Sequence, residues 1–430
     1  MSKPPVIRNL KEFLEPVLEP GVKVLGYKSS FLTAPGDNYG STMLALTVEV
    51  TSATGDESLF NLLHLFTTWR DDQLEQLPLV AKMRPTSEEF LEIFQIDVTF
   101  VKEAAVYSQI VPAMIKLQQE MGLPDEETID VFCRCYNTRV SLDPDSDKVD
   151  ADGVMLFENL KLAGFITEDR RKGFTRELAE FILKKLAQFH AIPIALRLLK
   201  PEVFKSSVQK FLVKIDIDAG LSEQTIQRML TVIEADLKKA GVKEQLIKRL
   251  LERIDDCRKR QANLVSDEVN QYCSMLHNDL WVNNMMIKYG DTGKPTGLKF
   301  VDFQLIQMDS LVRDILFFLL TSVSDANLAH STDHYFNVYF EGLRFHLARL
   351  KCPNMSQFTY QSFLEEINRV APRELYHIVA MLRVVLAKKE SIPEHSELDA
   401  ELFCNDNLVE EDYYRKLLLV VTIYDQQGWV

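Results

Sequence analysis

The stretch Leu276-His277-Asn278-Asp279-Leu280-Trp281-Val282-Asn283-Asn284, followed by Lys299-Phe300-Val301-Asp302-Phe303-Gln304, decides the fold. It wedges polar groups into an apolar frame. Leu276 and Trp281-Val282 close it on one side, and Met285 to Ile287 with Phe300-Val301 close it on the other. Polar groups in such surroundings have a partner or a task. Met285 to Tyr289 reads as a short strand, Gly290-Asp291-Thr292-Gly293 as a turn, and Leu298 to Val301 as the returning strand. A hairpin of this kind delivers Asn284 and Asp302 to one mouth, close to Asp279.

These three oxygen-bearing side chains have the spacing that phosphoryl transfer needs. An aspartate at position 279 can accept or orient the proton of an acceptor hydroxyl, while Asn284 and Asp302 can hold magnesium. Magnesium takes hard oxygen donors and keeps waters and substrate phosphates for the rest of its octahedron, so one Asn and one Asp suffice. The same three residues in a surface loop would lack the apolar frame. Asn283 lies off the ligand spacing and can cap the turn. His277 reads as a structural hydrogen-bonder that shapes the loop, because Asp279 already fills the base role.

Upstream, residues 6 to 20 read as a short amphipathic helix ended by Pro20-Gly21. Val22 to Leu32 and Thr42 to Thr51 read as strands. Between them Pro35-Gly36-Asp37-Asn38-Tyr39-Gly40-Ser41 forms a glycine-bearing turn. Such a turn can lay backbone N–H groups over phosphates, and an ordinary hairpin turn would look the same. Leu77 to Met83 is the next strand and carries Lys82. A buried ammonium needs an anionic partner. Glu103, on a following helix whose face runs through Phe94, Val98, Val101, Ala105, Ile110 and Ile115, is the candidate. A strand lysine paired with a helix glutamate is the device by which kinases grip the α- and β-phosphates. Ile129 to Asn137 and Gly153 to Phe157 read as two more strands. Glu158-Asn159-Leu160 then forms the connector whose backbone would meet an adenine.

Everything from there to the Asp279 loop reads as helix. Thr175 to His190 has Leu178, Ile182, Leu186 and Phe189 on one stripe, and His190 reads as a C-terminal capping or core histidine. Ser222 can cap a helix that Gly241 ends. After Asp302 the chain reaches Arg313-Asp314-Ile315-Leu316-Phe317-Phe318-Leu319-Leu320 almost at once, leaving no room for a peptide-docking platform. Asp314 favours the N-terminal dipole of that helix and can brace the loop backbone. Residues 331 to 430 are helical and aromatic. Tyr335, Phe336, Tyr339, Phe340, Phe345, Tyr413, Tyr414 and Tyr424 are mostly core, and some can line an apolar acceptor pocket.

The bulk properties agree. The 430 residues suggest one large bilobed unit or two to three domains, and a formal net charge of -14 disfavours nucleic acid and anionic membranes as partners. Six dispersed cysteines show no C-x-x-C spacing for zinc and read as reduced thiols of a cytoplasmic protein. The N-terminus lacks a secretory h-region, and no apolar run approaches the roughly 20 residues needed to span a bilayer. No protein partner can be inferred.

Taken together the motifs resemble the insect ecdysteroid-kinase-like family, also described as CHK-kinase-like and related to choline and aminoglycoside kinases. The residues that carry the resemblance are Gly36-Asp-Asn-Tyr-Gly-Ser41, Leu79-Val-Ala-Lys82, Phe100-x-x-Glu103-x-x-x-Tyr107 and Phe157-Glu-Asn-Leu160. They continue with Leu186-Ala-Gln-Phe-His-Ala191, His277 to Asn284, and Val301-Asp-Phe-Gln304 with Asp314. Asn278 stands where related antibiotic kinases have glycine. The long segment between Thr51 and Leu77, containing Phe60 to Phe66, departs from a simple strand connection.

The resemblance implies an α+β, protein-kinase-like two-lobed fold. A β-rich N-lobe would span residues 1–157 and a helical C-lobe 158–430, with ATP between them. It implies MgATP-dependent phosphorylation of a hydroxyl on an ecdysteroid or other hydroxylated small molecule, foreign compounds included. Lys82, held by Glu103, would steady the α- and β-phosphates. Asn38, Tyr39, Gly40 and Ser41 would cover them, and Glu158 to Leu160 would meet the base. Asn284 and Asp302 would hold Mg²⁺, and Asp279 would be catalytic. The alternatives are a non-catalytic pseudokinase used as a binding module and, against the short segment after Asp302, a peptide kinase.

Overall fold

Alternation along Thr42–Thr51 builds the first layer. In the computed structural model every second residue of this strand, from Leu44 to Val50, is buried. The structure describes the chain outside residues 1–2, 33–40, 52–73, 86–90, 93–94, 147, 216–220, 264–268, 389–402 and 406. Asn38, Tyr39, Gly40, Phe94 and the Phe60 to Phe66 segment therefore lie outside the described residues. The fold is α+β. Residues up to Ser108 with Phe132–Ile166 form one compact unit, and Gln109–Val131 with most of the chain from Thr167 onward form a second.

The first unit holds a five-stranded antiparallel sheet of β1 (Val24–Phe31), β2 (Thr42–Thr51), β3 (Leu74–Met83), β4 (Cys135–Arg139) and β5 (Val154–Glu158), in the order β1-β2-β3-β5-β4. Leu44, Leu46, Val48 and Val50 of β2, Leu77, Leu79, Ala81 and Met83 of β3, and Val154 and Leu156 of β5 share one buried cluster. The short helix α1 (Leu10–Leu14) covers it with Leu10, Phe13 and Leu14. Side chains alternate across a strand, so Lys82, between Ala81 and Met83, belongs to the opposite face. It pairs with Met43 on one side and Met155 on the other. Helix α2 (Ile96–Ala105) carries Glu103.

Two expectations need correction here. The first helix is shorter than residues 6 to 20 and tightens into a 3-10 turn at Glu15–Val17. Pro16 has no N–H and its ring crowds the preceding turn, so the α-helix cannot continue. The strand expected from Ile129 begins only at Cys135. The backbone before it is engaged elsewhere: the Ile129 N–H donates to the Gln118 side chain at 3.0 Å, and the Val131 carbonyl accepts the Phe300 N–H at 2.7 Å.

The second unit is mostly helical. It comprises α3 (Val111–Glu120), α4 (Arg176–Leu199), α5 (Pro201–Ser207), α6 (Glu223–Lys239), α7 (Glu244–Ala262), α8 (Val312–Ser322), α9 (Asp325–Leu328), α10 (Thr332–Arg349), α11 (Tyr360–Val385) and α12 (Glu411–Gln426). Helix α4 packs along α10, and α11 packs against both α8 and α7. Thr175 and Ser222 cap α4 and α6 through their side chains. Helix α4 runs on through Pro193 to Leu199, so His190 lies inside a helix and not at its end. Tyr335, Phe336, Tyr339, Phe340, Tyr413, Tyr414 and Tyr424 are buried, whereas Phe345 is exposed. Two small antiparallel pairs complete the unit: β7 (Met285–Tyr289) with β8 (Pro295–Phe300), and β6 (Cys273–Leu276) with β9 (Gln307–Ser310).

All six cysteines are free thiols. No helix among the described residues is long and apolar enough to cross a membrane.

Candidate active site

The β7–β8 hairpin works as its sequence suggests. Met285 pairs with Phe300, so the residues just outside the pair are neighbours. The Val301 N–H donates to the Asn284 carbonyl at 3.0 Å, which sets Asp302 one residue beyond that bond. Asn284 in turn is anchored to Asp279. Its Nδ2 donates to the Asp279 carbonyl at 2.8 Å and to Asp279 Oδ2 at 2.9 Å. With the amide nitrogen committed to Asp279, the amide oxygen is directed away from it. Three residues separated in the chain thus form one constellation.

Two carboxylates in one place repel. Asp279 is half-buried, and the loss of solvent around its carboxyl pushes its pKa well above the ordinary carboxylate range. The charge of Asp302 adds to the shift, and hydrogen bonds from Asn284 and Trp281 oppose it. Asp302 itself sits in the left-handed region, at φ 68° and ψ 62°. Aspartate, like asparagine, is among the few residues other than glycine that adopt this conformation.

The loop backbone is held from beneath by Asp314, near the start of α8. Its Oδ2 accepts the His277 N–H at 2.7 Å, and its Oδ1 accepts the Asn278 N–H at 2.8 Å. His190 Nε2 lies 3.1 Å from the same carboxylate, and His190 Nδ1 lies 2.7 Å from the Tyr339 hydroxyl. All are buried. Burial alone would raise the Asp314 pKa. The interactions with His190 and His277 outweigh it and hold the group below the ordinary value. The brace expected of Asp314 is therefore present, and His190 is the core histidine that supports it. His277 Nε2 contacts the Val301 carbonyl at 3.0 Å, tying the loop to the segment that carries Asp302.

Asn278 also adopts a left-handed backbone, with φ 64°. Glycine tolerates this at no steric cost, and asparagine is among the few other residues that do. Its Oδ1 accepts from Gln307 Nε2 at 2.9 Å. Gln307 and Tyr339 are supports that the sequence reading did not single out. A glutamine set between Ile306 and Met308 is the faint signal that could have found the first.

In the sheet unit, Lys82 Nζ meets Glu103 Oε2 at 2.5 Å, with both side chains buried. Ser41 is buried just ahead of β2. The Glu158 carboxylate accepts the Arg134 N–H at 2.6 Å, and its own N–H donates to the Arg134 carbonyl. Its side chain thus ties β5 to the start of β4. The Leu160 side chain is buried, and its carbonyl accepts the Phe165 N–H at 2.9 Å. Helix α2 is followed at once by a π-helical stretch, Val106–Ile110.

The sequence profile of the ecdysteroid kinase-like family matches residues 35–352. The chain belongs to the ecdysteroid kinase-like family. No curated protein sequence matches it. Solved structures that the chain matches include an ethanolamine kinase from Plasmodium vivax, 12% identical over 94% of this chain and 84% of that one, with a TM-score of 0.40. A choline kinase from Cryptosporidium parvum is 11% identical over 99% and 94% of the two chains, with a TM-score of 0.40. A spectinomycin phosphotransferase, solved with ADP and spectinomycin, is 11% identical over 94% and 93%, also with a TM-score of 0.40. Membership of the ecdysteroid kinase-like family rests on the profile match.

Proposed function

We propose that this ecdysteroid kinase-like protein transfers the γ-phosphoryl group of ATP to a hydroxyl of a small molecule. The observation that carries the proposal is the pair of hydrogen bonds that Asn284 donates to Asp279 beside Asp302. Oxygen donors from Asn284 and Asp302 suit a hard divalent cation that takes its remaining ligands from water and phosphate. The repulsion between Asp279 and Asp302 is what such a cation would relieve. Magnesium bound there would neutralise charge on the transferring phosphoryl group.

The protein's own groups supply the rest. Asp279 would accept the acceptor hydroxyl through a carboxylate fixed by Asn284. A bound cation would offset the Asp302 charge and favour the ionised form of Asp279 that this role needs. Lys82, oriented by Glu103, would bind α- and β-phosphate oxygens. Ser41, with Asn38 to Gly40, would cover the phosphates, and the backbone from Glu158 to Leu160 would meet the base. Catalysis is then alignment and charge neutralisation. The short path from Asp302 through β9 to α8 favours a small acceptor over a peptide. An ecdysteroid or another hydroxylated compound fits the family.

The test is transfer from ATP and Mg²⁺ to a pooled panel of hydroxylated steroids, amino alcohols and phenolic glycosides, read by mass spectrometry. A Mg²⁺-dependent gain of one phosphate, absent in Asp302→Ala, is expected. Asp279→Ala should keep nucleotide binding and lose about 10²–10⁴-fold in transfer. Near-normal turnover in that variant would overturn the role of Asp279. Absence of Mg²⁺-dependent nucleotide binding by the unaltered protein would favour the pseudokinase reading.

A further inference from the structure

The helical unit contains a cavity of about 420 Å³ that none of the residues of the Asp279 loop lines. Four distant segments meet around it. They are the loop ahead of α4, the C-terminal end of α8 with the residues after it, Leu386 just after α11, and the start of α12. Gly173 makes the meeting possible. It has a φ of +68°, and a Cβ there would lie 2.8 Å from the Ser322 carbonyl oxygen. Phe174 then bridges to the end of α8, donating to the Ser322 carbonyl at 2.7 Å and accepting from the Ser324 N–H at 3.1 Å.

The charge on the wall runs against that of the protein. The chain carries a formal net charge of -14, yet the cavity is lined by Arg170, Arg171, Lys172, Arg415 and Lys416 against only Asp325 and Asp412. The acceptors do not match the cations. Arg170 spends its guanidinium on neutral oxygens, the carbonyls of Val384, Val385 and Ala387 at the end of α11. Asp325 is shared between Arg415 at 3.0 Å and Lys416 at 3.3 Å. Lys416 is 4% exposed and turns to the Val323 carbonyl as well. Arg171 is held by Glu410 and Asp412, and Lys172 reaches only Asp169, at 3.8 Å. Burying a cation without a full counter-charge is costly. The cost is visible in two groups. Burial, with repulsion from Arg171, lowers Arg170 below its ordinary value. Burial, with repulsion from Arg415, brings Lys416 down to about 8.

We propose that this cavity binds a small phosphate dianion, free or as a monoester, through the cations of the Arg170–Lys172 loop and of α12. A dianion supplies the missing negative charge. Its oxygens suit the forked donors of Arg171 and Arg415 and the point charges of Lys172 and Lys416. Ser324, whose Oγ accepts from Asn327 at 2.7 Å, keeps its own proton to donate. All the lining residues belong to the helical unit and Lys82 to the sheet unit, so the two readings rest on different residues and can fail independently.

Isothermal titration of the full chain with inorganic phosphate and with phenyl phosphate, at fixed ionic strength, tests the proposal. Saturable binding of one equivalent is expected. It should persist in Lys82→Met and weaken about tenfold, about 1.4 kcal/mol, in Lys172→Glu/Arg415→Glu, whose altered side chains are both largely exposed. Asp325→Asn releases two cations and should tighten binding. Tighter binding of phenyl phosphate than of inorganic phosphate identifies the ligand as a monoester, and equal binding identifies it as free phosphate. Loss of binding in Lys82→Met with retention in the double variant would overturn the proposal, as would no saturable binding of either probe.

Discussion

Asp314 offers the sharpest test of how the loop is held. Its carboxylate accepts two loop N–H groups and faces His190, all out of contact with water. In Asp314→Ala both N–H groups and His190 lose their partner. An unsatisfied buried group costs about 1–3 kcal/mol, so the sum is about 4 kcal/mol. Asp314→Asn is nearly isosteric and should cost less, about 2 kcal/mol. Its amide oxygen can keep the Asn278 N–H, and its NH2 can donate to His190 in the other tautomer. The His277 N–H, however, then faces a donor. Urea unfolding followed by circular dichroism measures the difference.

The pH dependence has a definite sign. The folded Asp314 pKa lies below its unfolded value of about 3.9. Its contribution is therefore complete above that value and is lost as pH falls through the folded pKa. The gap in stability between the unaltered protein and Asp314→Asn should be full near neutrality and shrink below about pH 4. Transfer should fall by about 10²-fold in both variants, because a displaced loop misplaces Asp279. Unaltered stability in both variants, or a gap that widens in acid, would refute the reasoning.

The remaining predictions concern backbone strain and the buried ion pair. Asn278→Gly and Asn278→Ala both lose the Gln307 bond, at a cost of about 1–3 kcal/mol, and Asn278→Ala should lose about 1–2 kcal/mol more for its left-handed backbone; equal loss in both would assign the effect to Gln307 alone. Lys82→Met removes the ammonium beside buried Glu103 and should destabilise the sheet unit by about 3–5 kcal/mol while weakening nucleotide binding. Lys82→Met/Glu103→Leu should recover stability without recovering nucleotide affinity, as a paired thermal-melt and binding measurement would show.

Local patterns made much of this protein legible in its sequence. Period-two burial set the limits of Thr42–Thr51. The turn at Gly290 to Gly293 fixed a hairpin whose ends bring Asn284 and Asp302 together. These features depend on neighbours in the chain, whose spacing the sequence states directly. Local pattern misled where tertiary partners outbid it. The apolar run from Ile129 has strand composition, yet its backbone bonds go to Gln118 and Phe300. His190 closes the apolar stripe read from Thr175, yet α4 continues through Pro193 to Leu199.

What the sequence by itself determined is which polar groups are set into apolar surroundings at the Asp279 loop and the hairpin after it. What only the tertiary structure decided is how they are held. Asp314, His190 and Tyr339 come from three helices and converge on one loop, and the left-handed backbone of Asn278 is met by Gln307 from a separate strand. The cationic cavity likewise gathers residues from the 170s, 320s and 410s. Contacts between residues more than a hundred positions apart leave no periodicity in the chain. They exist only once the helices have packed and the cost of burying each polar group has selected its partner.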